Sequence, residues 1–252
     1  MVVKYGGNAM INPRLKQAVM NDIVLLTQVG IRVVLVHGGG PEISATLQRL
    51  GIASQFLNGL RVTDIETMQV VQMVLAGKTN KDLVALIGVC GGRALGLCGI
   101  DGGMLLARQM KDAPELGYVG EVVKIDTRPI LNALADGYIP VVAAVGCGAD
   151  GGACALNPDA AASAVASCLH AENLIMLSQA RGVQKDKTDE GSLISAIQVS
   201  AVPSLLRSGT VTDGMRSKVE YCVEAVRRGV KKTFIIDGRI PHSILIEMLT
   251  DE

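Results

Sequence analysis

The chain has 252 residues, 49% hydrophobic and 19% charged, proportions that exclude a disordered polymer and allow one sizeable core. Lys plus Arg and Asp plus Glu balance at 24 each, so no global field would recruit nucleic acid or an anionic membrane. No run approaches the roughly 20 apolar residues of a membrane span, and the opening Met-Val-Val-Lys reads as neither a signal nor a transit peptide.

Short β-branched runs ending in glycine alternate with stretches of helical period. The first strand is expected at 2–5, stopping at Gly6-Gly7, with a helix over 13–28 after it. A strand over 32–36 runs into His37-Gly38-Gly39-Gly40, and Pro41 suits the first turn of a helix. Helical periodicity covers 64–76 and 79–89, and a strand over 93–98 stops near Gly99. Segments 104–110 and 118–125 flank a polar stretch and read as an antiparallel hairpin beside the main sheet. After a strand over 139–145, Asn157-Pro158-Asp159 reads as cap, first-position proline and acidic first turn of a helix over 158–169. A strand over 173–177 reaches Ser178, and the charged stretch 186–191 reads as a solvated loop. Thr212 or Asp213 would cap a helix over 213–228, where Val219, Cys222, Val223 and Val226 recur at helical spacing, and a strand over 233–236 ends at Asp237-Gly238.

Such alternation predicts an α/β three-layer sandwich, a mainly parallel central sheet between helices, with a flanking β-hairpin. No linker or repeat interrupts it. Residues 1–252 are therefore read as one domain, with an N-lobe over about 1–150 and a C-lobe over about 151–252.

Ligands of open parallel sheets bind beyond the carboxyl ends of the strands, where Gly6-Gly7 and Gly38-Gly39-Gly40 stand. Their unobstructed N–H groups suit an anion, although two ordinary strand-to-helix turns would look the same. Lys4 interrupts an apolar strand just before the first glycine turn; it either reaches the site or marks the strand's exposed end. Lys218 lies about one turn into its helix, and Asp159 would at least complement a helix dipole.

Competing motifs lack their context. His-Gly-Gly-Gly is not accompanied by a Gly-x-Ser-x-Gly elbow. Gly146 to Gly151 fits Gly-x-Gly-x-x-Gly, but no helix opens promptly on it, and Gly77-Lys78-Thr79 has Gln72 where a P-loop needs glycine. The cysteines (90, 98, 147, 154, 168, 222) and histidines (37, 170, 242) form no closely spaced pairs, which argues for reduced thiols and against a metal site.

Several segments together carry a resemblance. They are Val-Lys-Tyr-Gly-Gly (3–7), Val-His-Gly-Gly-Gly-Pro-Glu-Ile (36–43), Asn-Gly-Leu-Arg-Val-Thr-Asp (58–64) and Met-Val-Leu-Ala-Gly-Lys-Thr-Asn-Lys (73–81). Gly-Tyr-Ile-Pro-Val (137–141), Thr-Asp-Gly-Met (212–215) and Ile-Ile-Asp-Gly-Arg-Ile-Pro-His-Ser (235–243) follow in the same order. The chain thus resembles the amino-acid kinase family, of carbamate kinase-like fold, and within it the members that phosphorylate N-acetyl-L-glutamate. The arginine-sensitive bacterial and plastid type is the most similar in flavour.

The resemblance implies transfer of a phosphoryl group from ATP to the side-chain carboxylate of N-acetyl-L-glutamate, in arginine biosynthesis, with Mg²⁺ carried by the nucleotide. By position, Lys4 and Lys218 would neutralise the transferring group, Gly7 and Gly39 would donate N–H groups to it, and Asp159 would hold the two lysines. Arg61 would grip the substrate carboxylate, with Gly39, Gly40, Asn157 and the position of Ala155 lining the substrate. Gly6, Gly7, Ser178, Gln179, Gly182, Val183, Thr210, Val211 and Thr212 would border the nucleotide. It also implies a cytoplasmic enzyme, or a plastid one after removal of a transit peptide, and admits a nitrogen-signalling regulatory partner.

Two positions depart from the family pattern. Ala155 stands where an Asn would contact substrate, an expected loss of roughly 1–3 kcal/mol if its partner stays unpaired. Gln179 replaces an acidic residue of the nucleotide segment. These changes keep two other readings open: a catalytically weakened binding or regulatory subunit, and a kinase of another small carboxylate or a carbamate. The sequence carries neither the N-terminal helix nor the C-terminal glycine-rich segment of the arginine-sensitive type, so a homodimer with weak or no arginine inhibition is expected.

Overall fold

The computed structural model describes residues 1–186, 189–211 and 213–250. In chain order, β1 (Val2–Tyr5) leads to α1 (Pro13–Gln28), β2 (Val34–His37) and α2 (Gly40–Arg49). A small hairpin, β3 (Phe56–Leu57) and β4 (Leu60–Arg61), precedes α3 (Ile65–Gln72), a π-helical stretch (Met73–Thr79) and α4 (Asn80–Val89). Next come β5 (Ala94–Cys98), β6 (Leu105–Gln109), β7 (Val119–Ile125), α5 (Arg128–Ala135), β8 (Ile139–Ala143), β9 (Val145–Cys147) and β10 (Ala153–Leu156). The chain ends with α6 (Pro158–Cys168), β11 (Asn173–Ser178), α7 (Val202–Arg207), α8 (Asp213–Arg227), β12 (Lys232–Asp237) and α9 (Ser243–Leu249).

Six strands form one sheet in the order β12-β11-β1-β2-β8-β5, every pairing parallel. Because strand side chains alternate, both faces must be covered. Val2, Val34, Val36, Val142, Leu174 and Met176 pack on one face with Ala162, Val165 and Cys222 of α6 and α8. On the other face Val3, Tyr5, Leu35, Val141, Ile175 and Leu177 meet Met20, Ile23, Leu83 and Ile244 of α1, α4 and α9. This is the expected three-layer sandwich. The sheet is continuous between the halves, since β1 pairs with β11.

Several boundaries differ from the sequence expectation. The second strand begins at Val34 and includes His37. The strand expected over 139–145 divides at Ala144 into β8 and β9, because the chain leaves the sheet there to pair with β10. The expected hairpin exists as β6 and β7, outside the main sheet, and it closes with β9 and β10 into a four-stranded barrel. The Gly146–Gly151 pattern falls in the antiparallel β9–β10 hairpin, where Cys147 faces Ala153, and so cannot be a dinucleotide loop. Segments 64–76 and 79–89 are not separate helices: α3 passes through the π stretch into α4 without a loop. Lys78 in that stretch pairs with Glu42 and Asp82 on the surface, unlike a P-loop lysine.

The β3–β4 connection is Asn58-Gly59, with φ of 50° and 79°, the two left-handed residues of a type I′ hairpin turn. Asp64 then caps α3, its carboxylate accepting from the Thr67 N–H at 2.8 Å. That bond holds the Asp64 carboxyl below its ordinary range. Replacing the acceptor should cost what a lost cap costs. Asp64→Ala is expected to lower the urea-derived stability by about 1 kcal/mol and Asp64→Asn by only a few tenths.

Candidate active site

The strand order places the ends of β11, β1 and β2 side by side, so Gln179, Gly6-Gly7 and Gly38-Gly39-Gly40 gather at one rim although far apart in sequence. Gly6 lies against the Lys4 ammonium: a Cβ there would sit 3.3 Å from Nζ. A Cβ on Gly7 would sit 3.1 Å from the Gln179 amide nitrogen, and one on Gly38 3.0 Å from Pro158 at the start of α6. Gly39 has the least room, because a Cβ would meet Leu75 at 2.7 Å. A side chain there would have to displace the buried Leu75 methyl group. Among the described residues no acceptor meets the N–H of Gly6 or Gly39, whereas Gly38 donates to Tyr5. Buried or crowded N–H groups normally find acceptors, so these mark a place for an anion.

Beside the glycines, Lys4, Asp159 and Lys218 form a triad from three elements. Lys4 is buried in β1, Asp159 is buried in the first turn of α6, and Lys218 is in the second turn of α8. Asn157 caps α6, its side-chain oxygen accepting from the N–H groups of Asp159 and Ala160 at 2.8 and 3.2 Å, which fixes the carboxylate's approach. Lys4 Nζ lies 2.8 Å from Asp159 Oδ1 and Lys218 Nζ 2.5 Å from Oδ2. The second contact is an aligned hydrogen bond, but the first is an ion pair out of hydrogen-bond alignment, which leaves Lys4 protons free to point elsewhere.

Burial pushes the Lys4 ammonium below its ordinary pKa against the pull of Asp159, and Lys218 adds to the depression. Burial alone would raise Asp159, but the two ammonium groups outweigh it and hold the carboxyl below its ordinary value. Two cations share one anion in a poorly hydrated place. The cluster is therefore net positive and suited to another anion.

Arg61 sits apart from the lysines, at the end of the type I′ hairpin. Its guanidinium donates to Ser54 Oγ at 2.7 Å, Ser44 Oγ at 2.8 Å and the Gly40 carbonyl at 3.3 Å, and it stacks over Phe56 at 4.7 Å. The Gly40 contact ties it to the second glycine loop. Ala155 lies in β10, packed with the apolar cluster that contains Leu75 and Val145. Val183 and Val211 belong to one small cluster with Val202 of α7 and Val219 of α8, so the loop after β11 and the approach to α8 are joined. Gly182 precedes Val183; the Ser178 hydroxyl accepts from the Ala180 N–H, and that of Thr210 bonds Ser208. Thr212 lies outside the described residues, as does the Asp213 side chain.

Sequence reasoning missed two buried polar side chains behind Gly39. His37 is fully buried with Nδ1 2.9 Å from the Gly38 carbonyl, and its Nε2 meets Asn80 Nδ2 at 3.1 Å. Burial lowers the imidazole pKa to about 4, so it is neutral at pH 7. The usable signal was a histidine ending an apolar strand. The His-Gly-Gly-Gly motif masks it, because the glycines alone account for the turn.

The triad gives a stability prediction. An aspartate whose folded pKa is below its unfolded value of 3.8 contributes stability above that pH and loses it as pH falls through the folded value. Asp159→Asn should therefore cost about 3–5 kcal/mol at pH 7, by leaving two ammonium groups without their anion. In urea melts the gap from the unmodified chain should narrow below about pH 4.

Comparison with known proteins agrees with this architecture. A profile of the amino acid kinase family matches residues 1–237. Acetylglutamate kinase of Brachyspira hyodysenteriae is 51% identical over 252 residues, spanning 100% of this chain and 88% of that protein. Among solved structures, N-acetylglutamate synthase from Neisseria gonorrhoeae, complexed with coenzyme A and N-acetyl-glutamate, superposes with a TM-score of 0.86 at 26% identity. That match covers 100% of this chain and 57% of the synthase chain. Carbamate kinase from Giardia lamblia bound to AMP-PNP shares the fold at a TM-score of 0.72 and 16% identity, covering 98% of this chain and 94% of that one. Profile, full-length identity and fold agree: the chain belongs to the amino acid kinase family.

Proposed function

We propose that this protein transfers the γ-phosphoryl group of ATP to the side-chain carboxylate of N-acetyl-L-glutamate, giving N-acetyl-L-glutamyl 5-phosphate and ADP in arginine biosynthesis. The observation that carries this reading is the pair of ammonium groups on one buried carboxylate, beside glycine N–H groups that no acceptor meets among the described residues. The full-length likeness to a protein named acetylglutamate kinase supports the choice of substrate over another carboxylate or a carbamate, and favours an active enzyme over a weakened subunit.

The acceptor carboxylate is already ionised at pH 7, so no general base is required. One of its oxygens attacks the γ-phosphorus while the bond from that phosphorus to the bridging oxygen breaks, and ADP leaves with the electron pair. Alignment and charge neutralisation are what the protein must supply. Lys4 and Lys218 approach the equatorial oxygens from two sides, Gly7 and Gly39 donate N–H groups, and Asp159 keeps the ammonium groups apart and oriented. Arg61, held by hydroxyls and a carbonyl instead of a carboxylate, keeps its charge for the substrate. With its oxygen engaged in the cap, Asn157 offers its amide nitrogen to the same ligand.

ATP would lie across the loop after β11, against Ser178, Gln179, Gly182 and Val183, with Thr210, Val211 and Thr212 along the approach to α8. Substrate thus falls to the N-lobe and nucleotide to the C-lobe. Mg²⁺ would be carried by the nucleotide's own phosphates. No helix among the described residues is long and apolar enough to cross a membrane. The bacterial relative supports a cytoplasmic location over a plastid one.

We also propose a homodimer. Strand β5 is the last of the sheet; Leu95 on it is 41% exposed and Val89 on neighbouring α4 is 78% exposed. Such an edge favours a partner. Sedimentation should give twice the chain mass, and a monomer at micromolar concentration would reject this.

A hydroxamate assay with MgATP should detect acyl phosphate from N-acetyl-L-glutamate, with little from glutamate, aspartate or carbamate; no product from N-acetyl-L-glutamate would overturn the reading. Lys218→Ala should lower kcat by about 10²–10³-fold with KM little changed, because its bond tightens in the transition state. Arg61→Ala should instead raise the KM for N-acetyl-L-glutamate by about 10- to 100-fold.

A further inference from the structure

Gly39 is the most confined glycine of the site, and two buried polar residues, His37 and Asn80, stand behind it. Asn80 Nδ2 lies 2.8 Å from the Val141 carbonyl and 3.3 Å from that of Leu97. A carbonyl only accepts, so this atom is the amide's NH₂ group: one hydrogen goes to Val141, the other is shared between His37 and the longer Leu97 contact, and the nitrogen cannot accept an N–H. His37 Nε2, 3.1 Å away, must then be the unprotonated nitrogen, and the proton resides on Nδ1. There it donates to the Gly38 carbonyl at 2.9 Å.

The Gly38 carbonyl and the Gly39 N–H belong to one planar trans peptide, in which they point in opposite directions. Fixing the oxygen therefore fixes the line of the N–H. The π-helical stretch supports the same unit twice, since its Leu75 and Thr79 wall Gly39 and the next residue is Asn80. A π turn inside a helix is a frequent companion of functional sites.

We propose that Asn80 and His37 form a positioning latch, in which Asn80 holds the imidazole in its Nδ1–H tautomer and His37 thereby aims the Gly39 N–H at the transferring phosphoryl group. The latch rests on the proposed phosphorylation, because its task is to orient a donor of that reaction. Both are positioning residues. The charged groups that face the ring, Lys16 from α1 and Lys81 from α4, add to burial in opposing an imidazolium. Lys81 also donates to Asn80 Oδ1 at 3.0 Å, which keeps the amide's oxygen turned away from the ring.

The test is made on the full chain labelled with ¹⁵N-histidine. Long-range ¹H–¹⁵N correlation should show His37 with a protonated Nδ1 and a bare Nε2, unchanged between pH 8 and pH 6. In Asn80→Ala the ring should lose this single tautomer. Its kcat should fall by about 10- to 100-fold, with KM for N-acetyl-L-glutamate and MgATP within about twofold, as expected of a misdirected transition-state donor. Asn80→Asp keeps the size but offers the ring an acceptor, and should reduce kcat with protonated Nε2 as its signature.

An unmodified chain that turns over with Nε2–H at His37 overturns the latch alone. So does an Asn80→Ala chain that loses the tautomer but keeps its kcat. Where neither variant folds, the tautomer of the unmodified chain still decides. An unmodified chain with the Nδ1–H tautomer that forms no acyl phosphate overturns the phosphorylation reading, and the catalytic task of the latch with it.

Discussion

One buried carboxylate shared by two ammonium groups is the constraint on which the rest of the site depends. Asp159 can balance only one of its lysines, so the protein alone leaves a positive charge in a place where water is scarce. A charge without a counterion is expensive to bury. A further anion would complete the cluster, and the N–H groups of the glycine loops say where it would sit. Folding thus holds open an electrostatic deficit that an incoming phosphoryl group can fill, which is the economical way to favour a transition state rich in negative charge.

The sheet order turns that local chemistry into a fold requirement. Lys4, Asp159 and Lys218 lie far apart in sequence, and meet because β1 is central, with β2 and β11 on either side. Helix α6 then returns its first turn to the same rim, where Pro158 packs on Gly38. Each lysine is delivered by a different kind of element. Lys4 is rigid in a buried strand, whereas Lys218 lies near the start of a helix and is somewhat more exposed. A shift of α8 would move one ammonium without disturbing the other.

Much of the layer architecture was legible because it depends on local signals. Apolar runs ending in glycine gave the strands, and Asn157-Pro158 marked the start of α6. What escaped depends on long-range relations. Nothing near Asp159 in sequence shows the lysines it bridges, so its neighbours alone give a dipole partner and only the family resemblance implies the pairing. The break at Ala144 arises where β9 finds β10, and the intervening apolar residues carry no mark of it. The π stretch has the composition of an ordinary helix, so only the Gly39 wall and the Asn80 contacts reveal its use. The Asn58-Gly59 turn is different: its hairpin signal was present, and was read only as part of a motif.

Ala155 shows how a departure from a family pattern should be weighed. A missing polar side chain is costly when it leaves a buried partner unsatisfied, and nearly neutral when the space is refilled by apolar groups. Here the Ala155 methyl group packs with the cluster of Leu75 and Val145, and its N–H is engaged by the Tyr118 carbonyl. On the protein side nothing at this position is orphaned, so any cost falls on the ligand atom that an Asn would have met. That cost is separable from the chemistry, because β10 carries none of the triad. Arg61 is separate from the triad too, anchored through Ser44, Ser54 and Gly40. The surroundings of Ala155 and Arg61 can therefore vary while the Lys4–Asp159–Lys218 geometry stays fixed, and on the proposed reading the change at Ala155 would weaken recognition without dismantling the reaction centre.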